Sequence, residues 1–98
     1  MRYKLEDILT FLTVIEAGGL TAAARRLGVA KSVASKRISD LESSLGATLL
    51  RRSARGVVPT EAGAAFYGRA RDILAQLDDA AFAAGAGDLS GLMRVAGP

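Results

Sequence analysis

Side chains able to bind another molecule through charge or hydrogen bonds are concentrated in the middle of this 98-residue chain. Residues 25–71 contain ten basic and three acidic side chains, an excess of +7, whereas residues 1–24 carry −1 and residues 72–98 carry −3. A basic band between acidic ends favours a polyanionic partner. The same band would also suit a solvated surface that keeps a small domain soluble, so charge by itself leaves both interpretations open.

The residue types of enzyme and metal sites are scarce. The chain has no Cys and no His, which excludes disulfides, thiolate chemistry, His-based acid–base catalysis and the common zinc sites. Asp78 and Asp79 are adjacent on a predicted helix, so their carboxylates diverge, and no glycine-rich phosphate loop follows a strand. We therefore expect no enzymatic activity and no metal or cofactor. Without a signal peptide or an apolar run of ~18 residues, we expect a cytoplasmic protein with no membrane association.

The spacing of apolar residues predicts the helices that position the basic band. A first helix covers about residues 4–17 and ends at Gly18-Gly19. A second, short helix begins with Thr21 as its N-cap and ends at Gly28. The apolar face of the first helix consists of Leu5, Ile8, Phe11, Leu12, Val14 and Ile15.

A third helix is predicted to begin three residues after Gly28 and to end at Gly46. Its apolar residues fall within an arc of about 60° at 100° per residue, which leaves a polar and basic outer face. A short helix, a turn containing glycine and a longer helix are typical of a helix-turn-helix. The apolar residues are Ala34, Ile38, Leu41 and Leu45.

Residues 48–59 predict a small β-hairpin with a basic tip, because two short apolar runs flank a turn that contains Ser53 and Gly56. Thr60 is a suitable N-cap for a fourth helix over residues 61–84. In that helix Gly63 and Gly68 should each cost up to ~1 kcal/mol relative to Ala. Its heptad-spaced apolar residues are Phe66, Ala70, Ile73, Leu77, Ala80 and Ala84.

A helix this long exceeds what one small three-helix core can cover. Its row of heptad-spaced apolar residues, here called the seam, therefore favours pairing with a second chain. Packing of Phe66, Ile73 and Leu77 on their own domain is the alternative. The glycines at 85, 87 and 91 predict a hinge, and Leu92–Ala96 resembles the opening strand of a further domain. The predicted organisation is therefore a domain at 1–60, a linker and dimerisation helix at 61–84, and a hinge with the start of an absent domain at 85–98.

The ordered set of these segments resembles the N-terminal DNA-binding region of LysR-type bacterial transcriptional regulators, from about Ile8 to Val95. The resemblance implies a mainly α fold: a winged helix-turn-helix of three helices and a short β-hairpin wing, followed by a long linker helix that pairs two subunits. It also implies binding to an interrupted inverted repeat, and, in complete proteins, a tetramer and a C-terminal domain that binds a small-molecule effector. The segments that carry it are Phe11, Gly18–Val29, Ser35–Ile38, Leu41-Glu42, Leu45-Gly46, Leu49-Leu50, Arg52-Ser53, Arg55–Val57 and Pro59–Gly63.

Several positions of the third helix depart from the common pattern of that family. The third helix opens with Ala30-Lys31-Ser32 where Ser-Gln-Pro is usual, and alanine is a poor N-cap that costs about 1 kcal/mol relative to a capping residue. Lys36 stands where an arginine often contacts bases. Because lysine lacks the bidentate fork that suits guanine, its contact should be less directional.

The candidate site residues follow from placing the third helix in the major groove and the wing against phosphate or the minor groove. Ser32 and Ser35 would otherwise be plain solvent-facing residues, and Arg52 would otherwise pair with Glu42 or another acidic residue. The predicted base contacts are Lys31, Ser32, Ser35 and Lys36. The predicted backbone or minor-groove contacts are Thr21, Ser39, Arg52 and Arg55. The predicted dimer interface is Phe66, Ala70, Ile73, Leu77 and Ala80.

These residues predict a sequence-specific, double-stranded-DNA-binding module of a bacterial transcriptional regulator that acts as a homodimer. The alternative from a different class is a winged-helix and coiled-coil scaffold that binds other proteins and no DNA, since fold alone does not fix function. The basic hairpin and the polar face of the third helix argue against the scaffold.

Overall fold

The computed structural model describes residues 3–54 and 56–85. These form a mainly α fold with one two-stranded antiparallel hairpin, as predicted. The elements are α1 (Leu5–Ala17), α2 (Leu20–Leu27), α3 (Lys31–Leu45), β1 (Leu50–Ser53), β2 (Gly56–Pro59) and α4 (Glu61–Ala83). The predicted hinge and strand beyond residue 85 lie outside the described residues.

The turn between α2 and α3 depends on Gly28, which adopts a left-handed conformation with φ of 70°. Glycine reaches this region without the steric cost that a Cβ imposes. The Gly28 N–H donates to the Arg25 carbonyl at 3.3 Å, and the Val29 N–H donates to the Ala24 carbonyl at 3.0 Å. The chain therefore leaves α2 and enters α3 within three residues.

The prediction that Thr21 caps α2 is wrong. The N-cap is Gly19, whose carbonyl accepts the Ala23 N–H at 3.1 Å, and the helix begins at Leu20. Leu20 joins the helix with a half-buried side chain. Thr21 is thereby moved into the first turn, where it is exposed.

The core lies where α1, α2 and α3 meet, and the alanines of α2 and α3 let the helices approach closely. Phe11, Ala23, Ala34 and Leu41 are each fully buried. Burial of a large apolar side chain such as Phe11 stabilises the fold by about 1.5–3 kcal/mol.

The buried face of α1 differs from the predicted stripe. Leu5 is exposed, and Ile8 and Ile15 are only half-buried, whereas Asp7 and Thr10 are buried beside Phe11. Thr10 tolerates burial because its hydroxyl donates to the Glu6 carbonyl at 2.7 Å.

Thr60 caps α4, as predicted, and it also joins this helix to the chain that enters the hairpin. Its Oγ1 accepts the Gly63 N–H at 3.0 Å and donates to the Thr48 carbonyl at 2.6 Å. Its backbone N–H donates to the Leu49 carbonyl at 2.9 Å. The cap therefore also ties the start of the fourth helix to the chain that enters β1.

The structure forms two compact units that divide between Tyr67 and Gly68, within α4. The first turns of α4 belong to the first unit. The Phe66 ring lies 5.7 Å from that of Phe11, and the Tyr67 hydroxyl donates to Glu16 Oε2 at 2.9 Å.

Candidate nucleic-acid interface

The outer face of α3 presents the predicted base-contacting residues together. Ala34, Ile38 and Leu41 are buried on one side of the helix, which turns its polar residues to the opposite side. The exposed side chains are Lys31, Ser32, Ser35, Lys36 and Ser39. Two ammonium groups and three hydroxyls on one face provide donors and acceptors for a groove or for phosphates.

The first turn of α3 has no side-chain cap, as its alanine predicted. Ala30 is the N-cap, and its carbonyl accepts the N–H groups of Val33 at 3.0 Å and Ala34 at 3.1 Å. The amide groups of Lys31 and Ser32 precede these in the first turn. A helix start of this kind favours an anion, because its free N–H groups and the helix dipole both attract negative charge.

Lys36 forms an ion pair with Asp40 one turn later on the same helix. Lys36 Nζ and Asp40 Oδ2 are 2.9 Å apart, and the side chains are 75% and 49% exposed. The hydrogen bond to Asp40, reinforced by the Asp40 charge, raises the pKa of Lys36 above its usual range. The pair is not among the sequence predictions, although the i,i+4 spacing of Lys36 and Asp40 is visible in the sequence.

Arg37 ties α3 to α1. Its Nη1 donates to Thr10 Oγ1 at 3.4 Å, and its Nε lies 3.6 Å from Glu6 Oε2. Beside this contact Asp7 is buried, and burial, followed by the charge of Asp40, raises the pKa of the Asp7 carboxyl. Arg37 therefore holds the helix in place and is not a candidate for contact with a ligand.

The start of α2, the start of α3 and the hairpin enclose a cleft of about 280 Å³. This cleft brings together Thr21, Lys31 and Arg52, which the sequence predicted separately. A threonine hydroxyl and two cations around one opening suit a phosphate group. Gly19, Leu20, Ser53, Gly56 and Val57 complete the lining.

A second cleft, of about 150 Å³, lies between α3 and the hairpin and brings Ser35 and Ser39 beside Arg52. Arg55 and its side chain lie outside the described residues, so the structure places Arg52 alone of the two predicted wing arginines.

Glu42 has a role that the sequence did not reveal. Its Oε2 accepts the backbone N–H groups of Leu49 at 2.7 Å and Leu50 at 3.2 Å. The carboxylate thus anchors the start of the hairpin to α3. The Glu42 carboxylate is thus directed at these backbone amides rather than at Arg52, the alternative partner that the sequence allowed, and the Arg52 side chain is exposed.

The predicted dimer residues fall into two groups. Phe66 is half-buried on Phe11, and Ala70 is buried within one chain. Ile73 is 61% exposed and Leu77 is 41% exposed, and Ala80 is exposed as well. The apolar surface left open along α4 is therefore the part from Ile73 onward.

The α4 side chains that are buried within a single chain form one row along the helix, which consists of Ala70, Leu74 and Ala81. At 100° per residue this row lies about 60° around the helix from the centre of the predicted seam. The seam itself thus remains largely uncovered beyond the first turns.

Within residues 3–54 and 56–85, no group of three or more acidic residues could hold a metal ion. None of the helices in the same ranges is both long and apolar enough to cross a membrane.

Residues 5–64 match the family model described as "Bacterial regulatory helix-turn-helix protein, lysR family". An HTH-type transcriptional regulator of Xanthomonas campestris pv. campestris is 40% identical over 85 residues, which cover 87% of this chain and 25% of the relative. The chain thus spans about a quarter of the length of that curated relative.

Two solved structures of similar extent also match. The complex of the CbnR DBD with DNA is 37% identical with a TM-score of 0.78, covering 85% of this chain and 95% of that one. The complex of the BenM DBD with benA site 1 DNA is 33% identical with a TM-score of 0.79, covering 84% of this chain and 95% of that one.

Proposed function

Because the chain belongs to the lysR family of bacterial regulatory helix-turn-helix proteins, we propose that it binds double-stranded DNA in a sequence-specific manner and controls transcription. The observation that carries the proposal is the exposed face of α3, whose polar side chains stand opposite a buried apolar face. The likeness to two domains solved with DNA supports it. Binding to a chromosome would place the protein in the bacterial cytoplasm.

In this proposal the first half of α3 enters the major groove, where a single helix fits and base edges are distinguishable. Lys31, Ser32, Ser35 and Lys36 contact bases, while Ser39 contacts the backbone farther along the helix. The four base-contacting side chains are exposed and share one side of the helix, which supports their acting together.

Backbone contacts hold the helix in register without selecting sequence. The cleft formed by Thr21, Lys31 and Arg52 is suited to one phosphate, and the uncapped start of α3 adds free N–H groups to it. Arg52 and Arg55 would extend the contact along the hairpin, onto phosphate or into a narrow minor groove.

We also propose that two chains pair through α4, with Ile73, Leu77 and Ala80 at the centre of the contact. These residues are exposed in the single chain, and each large apolar group buried there would contribute roughly 1.5–3 kcal/mol. A two-fold dimer binds two half-sites of opposite orientation, which gives an interrupted inverted repeat. In the longer protein, a tetramer and a small-molecule effector bound by a C-terminal domain complete the proposal.

Selection of binding sites from a random duplex library tests this function. We expect enrichment of an interrupted palindrome, and a steep loss of affinity between two salt concentrations. Enrichment of no sequence would contradict specific recognition, and absence of binding at low salt would favour the protein-binding scaffold instead.

Two lysine variants sharpen the test. Lys36→Ala should weaken binding to the enriched duplex more than binding to a scrambled duplex of the same length, because the ammonium contacts a base. Lys4→Ala removes an exposed lysine before α1 and should change both affinities little. An equal loss on both duplexes with Lys36→Ala would reduce that residue to a phosphate contact.

A further inference from the structure

The ion pair of Lys36 with Asp40 lies on the side of α3 that is open to a ligand. The two polar atoms are 2.9 Å apart, and both side chains retain substantial exposure, 75% and 49%. Their i,i+4 spacing places them on consecutive turns of one helix face. A cation proposed to contact bases thus already has a carboxylate bound to it before any DNA arrives.

We infer that Asp40 sets the DNA selectivity of Lys36, by cancelling its attraction to phosphate while leaving it able to donate to bases. This inference rests on the proposed function. An ammonium carries three N–H donors on a compact charge, and one of them is used by Asp40. The remaining two donors still suit acceptors such as O6 and N7 of guanine.

The phosphate backbone attracts cations whatever the sequence, and this attraction supplies nearly all non-specific binding. A paired lysine contributes less to it because the net charge of the pair is zero. The exposed carboxylate of Asp40 also repels phosphates that approach the same face. Both effects lower the affinity for an arbitrary duplex, so a residue type that is normally indiscriminate becomes more selective.

The surroundings of Asp40 explain why Lys36 is its partner. The neighbouring cation Arg37 is directed toward α1, where it contacts Thr10 and Glu6. The buried carboxyl of Asp7 is close enough for the Asp40 charge to raise its pKa. Lys36 is therefore the cation that compensates the charge of Asp40 at hydrogen-bond distance.

Asp40→Asn tests the inference in the 98-residue chain, because asparagine keeps the size of the side chain and removes its charge. Affinities for the enriched duplex and a scrambled duplex would be measured by fluorescence anisotropy over a salt series. For the scrambled duplex we expect the logarithm of the association constant to fall more steeply with the logarithm of salt concentration, by about 0.9 per chain in contact. If the affinities are equal at about 1 M salt, this slope gives about an eightfold higher affinity at about 0.1 M. The gain on the enriched duplex should be smaller, so the ratio of the two affinities narrows.

Two control variants distinguish the effect of the ion pair from the effect of net charge and from the effect of any change at position 40. Asp72→Asn removes an exposed carboxylate on α4, with the same change in net charge, and should leave the affinity ratio at the wild-type value. Asp40→Glu retains a carboxylate at the i,i+4 position and should restore the wild-type ratio and slope.

Equal gains on both duplexes with Asp40→Asn, or gains no larger than those with Asp72→Asn, would overturn the inference and leave DNA binding intact. Failure of the wild-type chain to bind either duplex would refute the proposed function, and the inference with it.

Discussion

Gly63 allows α4 to pass directly over the chain that enters β1. A Cβ placed on Gly63 would collide with the carbonyl oxygen of Leu49 and lie only 2.8 Å from its carbonyl carbon. The Leu49 backbone has little freedom to retreat, because its N–H is held by Glu42 and its carbonyl accepts the Thr60 N–H. We therefore expect Gly63→Ala to destabilise the fold.

The magnitude follows from two opposing effects. Replacing glycine by alanine in a helix gains up to ~1 kcal/mol from reduced backbone entropy, whereas forcing an extra methyl group into a packed site costs about 1–3 kcal/mol or more. Because the obstacle is backbone held at both ends, the upper part of that range applies. The expected net loss for Gly63→Ala is about 2 kcal/mol.

Gly68 supplies a matched control on the same helix. Among the described residues, a Cβ placed there meets no atom within 4 Å. Gly68→Ala should therefore stabilise the chain by up to ~1 kcal/mol, which raises Tm by roughly 4–8 °C for a domain of this size. Gly63→Ala should lower Tm by about twice that amount.

Thermal unfolding followed by circular dichroism, at one fixed protein concentration, compares the two variants with the wild-type chain. A fixed concentration is needed because association would add to the apparent stability. A Gly63→Ala chain as stable as wild type would refute the claim that the Leu49 carbonyl requires glycine at position 63.

Three further predictions concern the cap, a buried acid and the open seam. Thr60→Ala removes the hydroxyl that accepts the Gly63 N–H, and should cost about 0.5–2 kcal/mol in urea unfolding; Thr60→Ser keeps the hydroxyl and should recover most of this loss. Burial raises the pKa of Asp7 above its ordinary value of 3.8, so the folded state binds its proton more tightly than the unfolded state does. The stabilisation from this proton is complete below 3.8 and is lost as pH rises through the folded pKa. Urea midpoints measured from pH 3 upward should show this loss of stability in the wild-type chain and not in Asp7→Asn. The same pH dependence in both chains would contradict the raised pKa of Asp7. Ile73→Asp should convert a dimer to monomers in sedimentation velocity while leaving the helical circular dichroism in place, whereas the same substitution at the exposed, off-seam Ala75 should leave the dimer intact.

The helix ends were predictable because they depend on local chemistry. Glycine is the residue that most readily adopts a left-handed backbone, so Gly18, Gly28 and Gly46 mark the ends of α1, α2 and α3 in both the sequence and the structure. The start of α2 was less predictable, since Thr21 is the better capping residue by type. The half-buried Leu20 belongs to the helix and Gly19 is extended, so the N-cap lies two residues before Thr21.

Features that depend on distant segments could not be derived from spacing. The burial of Asp7 and Thr10 depends on the approach of α3, which brings Arg37 to this face. Gly63 looked like a weakness of α4 when judged by helix propensity. Its value comes instead from the backbone of Leu49, fourteen positions earlier in the chain.

The sequence predicted which residues form the candidate site better than it predicted the hydrogen bonds and ion pairs among them. Periodicity was enough to place Lys36 on the outer face of α3, because the apolar residues define the inner one. Whether Lys36 is paired depends on the rotamers of the Lys36 and Asp40 side chains. Likewise, the acceptor role of Glu42 depends on where Leu49 and Leu50 return to the helix.

The separation of tasks along α3 has a consequence for redesign. Arg37 fastens the middle of the helix to α1, and Glu42 fastens its end to the hairpin. The exposed positions at 31, 32, 35 and 36 make none of these attachments. They can therefore be randomised together in a library with the scaffold left untouched, provided that Asp40 is varied along with its partner at position 36. Variants with new target sequences should then emerge without changes to α1 or the hairpin.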